Sequence, residues 1–555
     1  MLKGLSVSKG IAISTAFWHE SIDILKIDKV EKTEDSSGEL KKLEEGINTC
    51  REELSKLKEN ISNYVSKEEA AIFDIQALFL EDPMIVDEIK ELIENGKYTA
   101  SSALVKIIKQ RTEEFEQIED EYFKARAADL LDMGSRLFLI LEGEEDSFDK
   151  EHDDSFILAS VDLLPSQTAK LDKSKIKGII TRKGGVNSHA AILARSLAIP
   201  CVMGVKDLDK SINGKEVILD GDKGEVYSEL TGELLKSYKE KIEKEKEIEK
   251  AREKFIGKKA VTGDGLEINI LANINEVEDL DTAVYAGVDG VGLFRTEFIY
   301  IGKEKLPSLE EQVSIYKEAI EKISPGTVTF RTLDIGSDKP LKNYEFEEEN
   351  PALGVRGIRW SFNYEEILKT QLKAMLMASC GKKVKIMFPM VSLYEEVVRA
   401  KNLVNKVCKE LKEEGAEFND EPSLGIMLET PAASVTVDIL GKELDFFSIG
   451  SNDLTQYTLA VDRMNEEVQD LYSTLQPSVL RLIDIIVKAS DKHKKELSIC
   501  GEAASDPECV PVLIGLSLRS LSVNASAVLA VKELISRLNS KECILLAQEA
   551  LFYKV

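Results

Sequence analysis

Histidine is scarce in this chain, with four in 555 residues. Also missing is any apolar run near the roughly 20 residues that a membrane-spanning helix needs, so insertion in a bilayer is not expected. The N-terminus, MLKGLSVSKGIAIS, has no apolar secretory core, and the cytoplasm is the expected compartment. The seven cysteines, at 50, 201, 380, 408, 500, 509 and 543, are odd in number, scattered, and never spaced as CxxC. That excludes the usual metal-finger spacings and fits free thiols in a reducing compartment. Positive charge is in deficit: 73 Lys and Arg face 100 Asp and Glu, a net −27. Nucleic acid and anionic membrane surfaces are therefore excluded as partners on electrostatic grounds, whereas a basic protein remains open. Nucleotide signatures are lacking too. No Gly-Lys pair is followed by Ser or Thr, so there is no P-loop, and GVDGVG is too loose for a dinucleotide fingerprint.

What is present is a multidomain α/β chain of ordinary composition, 43% hydrophobic and 31% charged, long enough for three or four domains at about 100–200 residues each. Residues 33–143 read as helical. Leu40, Leu43, Ile47, Cys50, Leu54, Leu57, Ile61 and Tyr64 alternate spacings of three and four, a heptad seam expected to pack within the chain. Phe115, Ile118, Tyr122 and Ala125 repeat the rhythm on an expected second helix, which suggests an antiparallel hairpin or small bundle. Residues 1–32 and 144–230 carry short β-branched runs (FILAS, KGIIT, CVMGV, EVILDGD) between glycine turns, the pattern of a small α/β unit. Residues 231–258 are rich in Lys and Glu, with Glu240 four before Lys244, and read as a solvated linker helix.

From 259 to 555 eight strand-like segments alternate with helices: EINILANI, GVGLF, VTFRTLD, KIMFPM, LGIMLET, DFFSIG, LSICGE and SLSVNAS. Count and length predict a TIM (β/α)8 barrel, with a doubly wound open sheet as the alternative. Barrel chemistry gathers where strands end. Arg295, Arg331 with Asp334, Glu429, Asn452 with Asp453, and Cys500 with Glu502 all fall at such ends, on five different strands. Any one of these arginines, alone, reads equally well as a surface ion pair. Together, Arg295, Arg331, Arg356 and Arg463 with Lys339 make a cationic cup suited to phosphate and carboxylate, because a guanidinium fork binds both. Glu429 and Asp453 offer two hard oxygens of the kind Mg²⁺ takes when substrate completes its shell. The expected substrate is a small, highly anionic phosphate.

One histidine sits in a special setting. In GGVNSHAAILARSLAIPCVMGV, residues 184–205, His189 precedes Ala190, Leu193, Ala194 and Leu197 at helical spacing, and Ser188 or Asn187 is placed to cap. A helix N-terminus stabilises a phosphoryl group, and the glycine pair lets another molecule come close. A polar cap or a satisfied core histidine is the plainer reading of the position alone.

GGVNSHAAILARSLAIPCVMG resembles the phosphohistidine signature shared by enzyme I of the bacterial sugar phosphotransferase system and by the pyruvate phosphate dikinase and phosphoenolpyruvate synthase relatives. DGVGLFRTEF, FRTLDIGSDKP, ENPALGVRGIR, IMFPM, GIMLETPAA, FFSIGSNDLTQYTLAVDR and CGEAASD resemble, in order, the phosphoenolpyruvate-binding barrel of that superfamily. GIAIS and EYFKARAADLLDMGSRL extend the likeness over essentially the whole chain. A dikinase or synthase would need an ATP-binding domain ahead of the histidine domain, so the chain is most similar to the enzyme I family, and no sensory domain points to its nitrogen-regulatory branch.

The resemblance implies a phosphohistidine α/β domain holding an inserted helical domain that receives the phosphocarrier HPr, then the linker and a dimerising barrel. It implies His189 as the nucleophile, oriented by Thr168 and flanked by Ser188. It also implies Arg295, Arg331, Arg356, Arg463, Lys339 and Asn452 on phosphoenolpyruvate, Glu429 and Asp453 on Mg²⁺, and Cys500, beside Glu502, as the proton donor that releases pyruvate. Cys500 read without the resemblance is equally a buried structural thiol. Val186 and Asn187, Ser337 and Met464 depart from the family pattern, as does LRSLSVNASAV; none replaces a residue given a direct role. A regulatory paralogue that binds phosphoenolpyruvate or the carrier without catalysis is the alternative, and it would be expected to lack His189 or Cys500.

Overall fold

The structure is a computed structural model. It describes the chain apart from residues 21, 23, 29, 62–71, 117–120, 145–154, 169–174, 186–187, 198, 302, 304, 337–340, 342–343, 345–347, 464, 466 and 554–555, and describes the backbone alone at 59–61, 116, 121–125, 189 and 196. Lys339 and the departures Val186, Asn187, Ser337 and Met464 thus lie outside the described residues. The chain divides into two compact units, Met1–Lys246 and Glu247–Val555.

The N-terminal unit is built on an eight-stranded mixed sheet. Its strands are β1 (Leu2–Lys3), β2 (Leu5–Ser8), β3 (Ile11–His19), β4 (Phe156–Ser160), β5 (Ile176–Thr181), β6 (Cys201–Met203), β7 (Glu216–Asp220) and β8 (Glu225–Tyr227). They lie in the order β1-β8-β7-β3-β4-β5-β6-β2. β3 and β4 are parallel neighbours, Thr15 opposite Phe156 and His19 opposite Ser160, so the long segment between them leaves the sheet and returns beside its point of departure. Period-two burial separates two apolar layers. Leu158, Ile179 and Cys201 face the layer that includes Ala190, Leu193 and Leu197, whereas Ile157, Ile180 and Val202 face the other.

The excursion folds as helices Ser36–Ile61, Ile72–Phe79, Pro83–Glu94, Ala100–Glu116 and Glu121–Glu142 around their own core. The heptad positions Leu43, Ile47, Cys50, Leu54 and Leu57 are buried in it; Tyr64 and Ile118 lie outside the described residues. The second rhythm runs across residues of which 117–120 lie outside the described ones. Phe115 lies in the helix Ala100–Glu116 and Ala125 in the helix Glu121–Glu142.

The linker helix, Gly232–Arg252, is mostly exposed. Its buried side chain, Tyr238, donates to Asp220 Oδ2 on β7 at 2.9 Å. Near its end Arg252 Nε donates to Glu533 Oε2 at 2.9 Å.

The C-terminal unit is a closed parallel barrel. A short strand, β9 (Ala260–Val261), precedes β10 (Glu267–Ile274), β11 (Gly290–Arg295), β12 (Thr327–Arg331), β13 (Val384–Phe388), β14 (Ser423–Leu428), β15 (Phe446–Gly450), β16 (Glu496–Cys500) and β17 (Ser520–Asn524). β10 pairs with both β11 and β17, which closes the ring, so the open-sheet alternative fails. Parallel strands covered by helices are buried on both faces and read as continuous apolar runs, which is why all eight were visible in the sequence.

Candidate active site

The barrel register sets the charged residues at one rim. Arg295 and Arg331 end adjacent strands and stand opposite each other. Glu429 follows β14, Asn452 and Asp453 open the helix Ser451–Leu459 after β15, and Cys500 ends β16, opposite Gly450. Gly501 then turns the chain at φ +92°; a side chain there would collide with Ser451 Oγ and lie 2.8 Å from Asn452 Oδ1. Arg295, Arg331, Arg463, Asn452, Asp453, Glu429, Cys500 and Glu502 all line one cavity of about 680 Å³. Arg356 reaches the same cluster from the loop after the helical turn Pro351–Leu353.

Charge in this cavity is buried and paired. Arg331, 4% exposed, bonds Glu297 and lies 3.3 Å from Asp334 Oδ2. Burial alone would lower its pKa, but Glu297 and Asp334 more than offset that and raise it. Arg356 spans two carboxylates. Its Nε and Nη2 donate to Asp334 at 3.2 and 3.3 Å, and its Nη1 and Nη2 to Asp453 at 3.0 and 3.2 Å. Such pairs hold geometry: removing one member leaves an uncompensated buried charge, at about 3–5 kcal/mol. Arg295 is held more loosely than Arg331 and Arg356, with Nη1 3.4 Å from Asn275 Oδ1. Burial and the neighbouring Arg331 lower its pKa. Asn452 is held by Glu502, whose N–H donates to Oδ1 at 3.0 Å while Nδ2 donates to Glu502 Oε1 at 3.3 Å.

Glu429 fits a cation. It is fully buried, takes the Met390 N–H on Oε1 at 2.6 Å, and its Oε2 finds no hydrogen-bond partner among the described residues. Burial, and then the charges of Asp453 and Asp334, push its carboxyl up to about 8. A hard divalent ion between Glu429 and Asp453 would satisfy that orphan oxygen and remove the repulsion. Among the described residues no three His, Cys, Asp or Glu converge, so the two carboxylates would need oxygens from water or substrate. Cys500 lies against an apolar layer of Leu293, Met387, Met427 and Phe446 inside the barrel. Burial pushes its thiol up to about 11, against the hydrogen bond from Ser448 and the charge of Arg331, so it holds its proton at neutral pH.

In the N-terminal unit His189 is the first residue of the helix His189–Ser196. Ser188 is the cap, its Oγ accepting from Ala191 N at 3.3 Å. Gly184, at φ +98°, turns the chain into this segment. Thr168 ends the short helix Pro165–Thr168, which packs against the His189 helix; its Oγ1 donates to Pro165 O at 2.8 Å.

Three profiles of phosphoenolpyruvate-utilising enzymes match in succession: the N-terminal domain at residues 3–126, the mobile domain at 152–224 and the phosphoenolpyruvate-binding domain at 249–540. The phosphoenolpyruvate-protein phosphotransferase of Listeria innocua is 41% identical over 553 residues, 99% of this chain and 96% of its own. Those of Staphylococcus aureus and Mycoplasma capricolum are each 39% identical with the same coverage. The chain belongs to the phosphoenolpyruvate-protein phosphotransferase family.

In this phosphotransferase-family chain Glu297, Ser166 and Asp132 escaped the sequence reading. Glu297, fully buried, and Asp334 hold the arginine cup in shape; Asp334 was visible as a strand-end acid, but Glu297 had only its place two residues past Arg295 as a signal. In the mobile-domain segment, Ser166, two residues before Thr168, is tied to the helical bundle by Asp132. That carboxylate accepts the Ser166 N–H at 2.9 Å and hydroxyl at 2.5 Å, and Gln76 Nε2 at 2.9 Å. An acid inside the apolar run LLDMGSRLFL was the available clue.

Proposed function

We propose that the chain takes the phosphoryl group of phosphoenolpyruvate onto His189, releases pyruvate, and passes the group to a histidine of a phosphocarrier of the HPr type, the first step of sugar uptake and phosphorylation. The observation that carries this reading is the cavity at the C-terminal rim of the barrel, in which a cup of arginines, an orphan carboxylate oxygen and a protonated thiol converge. Arg295, Arg331, Arg356 and Arg463, with Lys339 and Asn452, hold the phosphate and carboxylate of the substrate. Glu429 and Asp453 hold Mg²⁺, which supplies charge neutralisation on the phosphate when bound. Loose phosphoryl transfer asks for such positioning and neutral charge rather than covalent help. Cys500 hands its proton to the enolate carbon. The presence of both His189 and Cys500 leaves no feature that favours a non-catalytic regulator.

His189 belongs to the 1–32 and 144–230 α/β domain and the substrate to the 259–555 barrel, so the histidine travels between barrel and carrier. Tyr238 on Asp220 holds the start of the linker helix to the α/β domain, and Arg252 on Glu533 holds its end to the barrel. The bending segment is therefore the stretch between these two anchors. The helical domain, 33–143, docks the carrier, and Thr168 and Ser188 set the histidine. Exposed Leu393, Tyr394, Val435 and Ile439, on neighbouring helices of the barrel, suit a homodimer. No helix is long and apolar enough to cross a membrane among the described residues, and we place the protein in the cytoplasm. The test couples pyruvate release to phosphorylation of purified carrier in the presence of Mg²⁺. Equal yields of both products are expected; pyruvate without phosphocarrier would overturn the reading.

A further inference from the structure

A polar thread crosses the barrel interior that the phosphoryl chemistry does not use. Barrel interiors are filled by layers of apolar side chains, yet Ser448 on β15 and Ser498 on β16 stand opposite each other within this one. Ser498 Oγ donates to Ser448 Oγ at 3.0 Å, Ser448 Oγ to Cys500 Sγ at 3.8 Å, and Cys500 Sγ to Ile449 O at 3.4 Å. Three successive donors point the same way, from the strand starts toward the thiol, an alignment in which each bond polarises the next. Ser448 is fully buried; Ser498 is half-buried.

The far end of the thread opens on water. Ser498 lines a second cavity, of about 270 Å³, at the N-terminal ends of the strands, walled by Lys385, Asp491 and Glu496 among others. That volume holds several waters at about 30 Å³ each, and its charged wall gives them partners. Cys500 itself lines the substrate cavity. The two serines therefore join the thiol to a separate solvent compartment at the opposite end of the barrel.

We propose that Ser498 and Ser448 relay a proton from water at the N-terminal face of the barrel to Cys500, restoring the thiol after it has protonated the enolate. This rests on the reading of Cys500 as donor. The C–H bond of pyruvate forms as the S–H bond breaks, leaving a thiolate. Ser448 gives its hydroxyl proton to sulfur, Ser498 gives its own to Ser448, and a water in the second cavity gives one to Ser498. The hydroxide left there is neutralised by bulk solvent. Each serine ends with the proton count it began with and nothing is oxidised. The thiol is thereby recharged while product still fills the catalytic mouth.

The experiment compares full-length wild type with Ser498→Ala, Ser498→Thr and Cys500→Ala in rapid-quench assays of pyruvate with saturating phosphoenolpyruvate, Mg²⁺ and carrier. For Ser498→Ala the expected result is a first turnover at the wild-type rate followed by a steady state slowed about tenfold or more. This burst of one pyruvate per site should come with an unchanged KM and a larger solvent deuterium isotope effect. Ser498→Thr, which keeps the hydroxyl, should restore the steady state. Ser498→Ala without a burst, or Thr as slow as Ala, overturns the relay. Cys500→Ala separates the two ideas: if it slows the first turnover while Ser498→Ala behaves as wild type, the relay alone fails. If Cys500→Ala forms pyruvate normally, the donor reading has failed as well.

Discussion

In the proposed reaction the barrel rim and the histidine helix handle one phosphoryl group by opposite means. At the rim, charge is dense, buried and mutually held: Arg331 by Glu297 and Asp334, Arg356 by Asp334 and Asp453. On the helix, Ala190, Ala191, Leu193 and Ala194 are buried, Ser188 caps the first turn, and the one charged side chain among the described residues, Arg195, lies in the last turn. On the proposed reading the rim recognises a multiply charged substrate, and Arg331 and Arg356 are held because each answers to two carboxylates. On the same reading the helix presents one nitrogen to two different partners and needs little besides a fixed backbone and free N–H groups.

The largest effect should come from the smaller of the two regions. His189→Ala is expected to abolish acid-labile labelling from radiolabelled phosphoenolpyruvate while leaving the fold and substrate binding intact, as read by circular dichroism and calorimetry. Undiminished labelling would remove the histidine from the comparison altogether. At the rim, Arg331→Ala should lower kcat/KM by about 10²–10³, the cost of one lost transition-state donor. It should also destabilise the barrel by about 3–5 kcal/mol, because Glu297 and Asp334 are left without a counter-charge. Urea titration with the kinetics checks both. Loss of activity without loss of stability would mean the rim is less tightly held than its geometry indicates.

How much of each region was legible follows from the same contrast. The histidine segment is contiguous, so its glycine pair, cap and helical spacing stand next to one another in the sequence. The rim is assembled from five strands, and what could be read was the position of Arg295, Arg331, Asp334, Glu429, Asn452, Asp453, Cys500 and Glu502 at strand ends. That Arg356 spans Asp334 and Asp453, or that Glu297 holds Arg331, is a property of barrel closure and has no local signature. The helical insert lies between these cases. Leu43, Cys50 and Leu54 marked its seam, but periodicity reports a face and not a terminus, so the ends of its helices were not legible.

A smaller effect distinguishes buried from exposed thiols. Burial raises Cys500 to about 11, so the thiolate, the reactive form, is scarce at pH 8 and grows as pH rises toward that value. Iodoacetamide at pH 8 should therefore modify exposed Cys380 first and reach Cys500 only as the pH is raised, with sites read by peptide mass spectrometry. Early modification of Cys500 would contradict its sealed setting. The smallest effect is the cap: Ser188→Ala should cost about 1 kcal/mol of stability in the N-terminal unit, seen as a lowered melting temperature with the barrel transition unmoved.

The division between the two regions is tested most directly by labelling a fragment of residues 1–246, the compact N-terminal unit, which retains the Tyr238 anchor on Asp220. Offered radiolabelled phosphocarrier, it should take the phosphoryl group on His189 by the reverse reaction. Offered radiolabelled phosphoenolpyruvate with Mg²⁺, it should remain unlabelled, because Arg295, Arg331, Glu429 and Asp453 are all in the other unit. Labelling from phosphoenolpyruvate in the absence of the barrel would contradict the account.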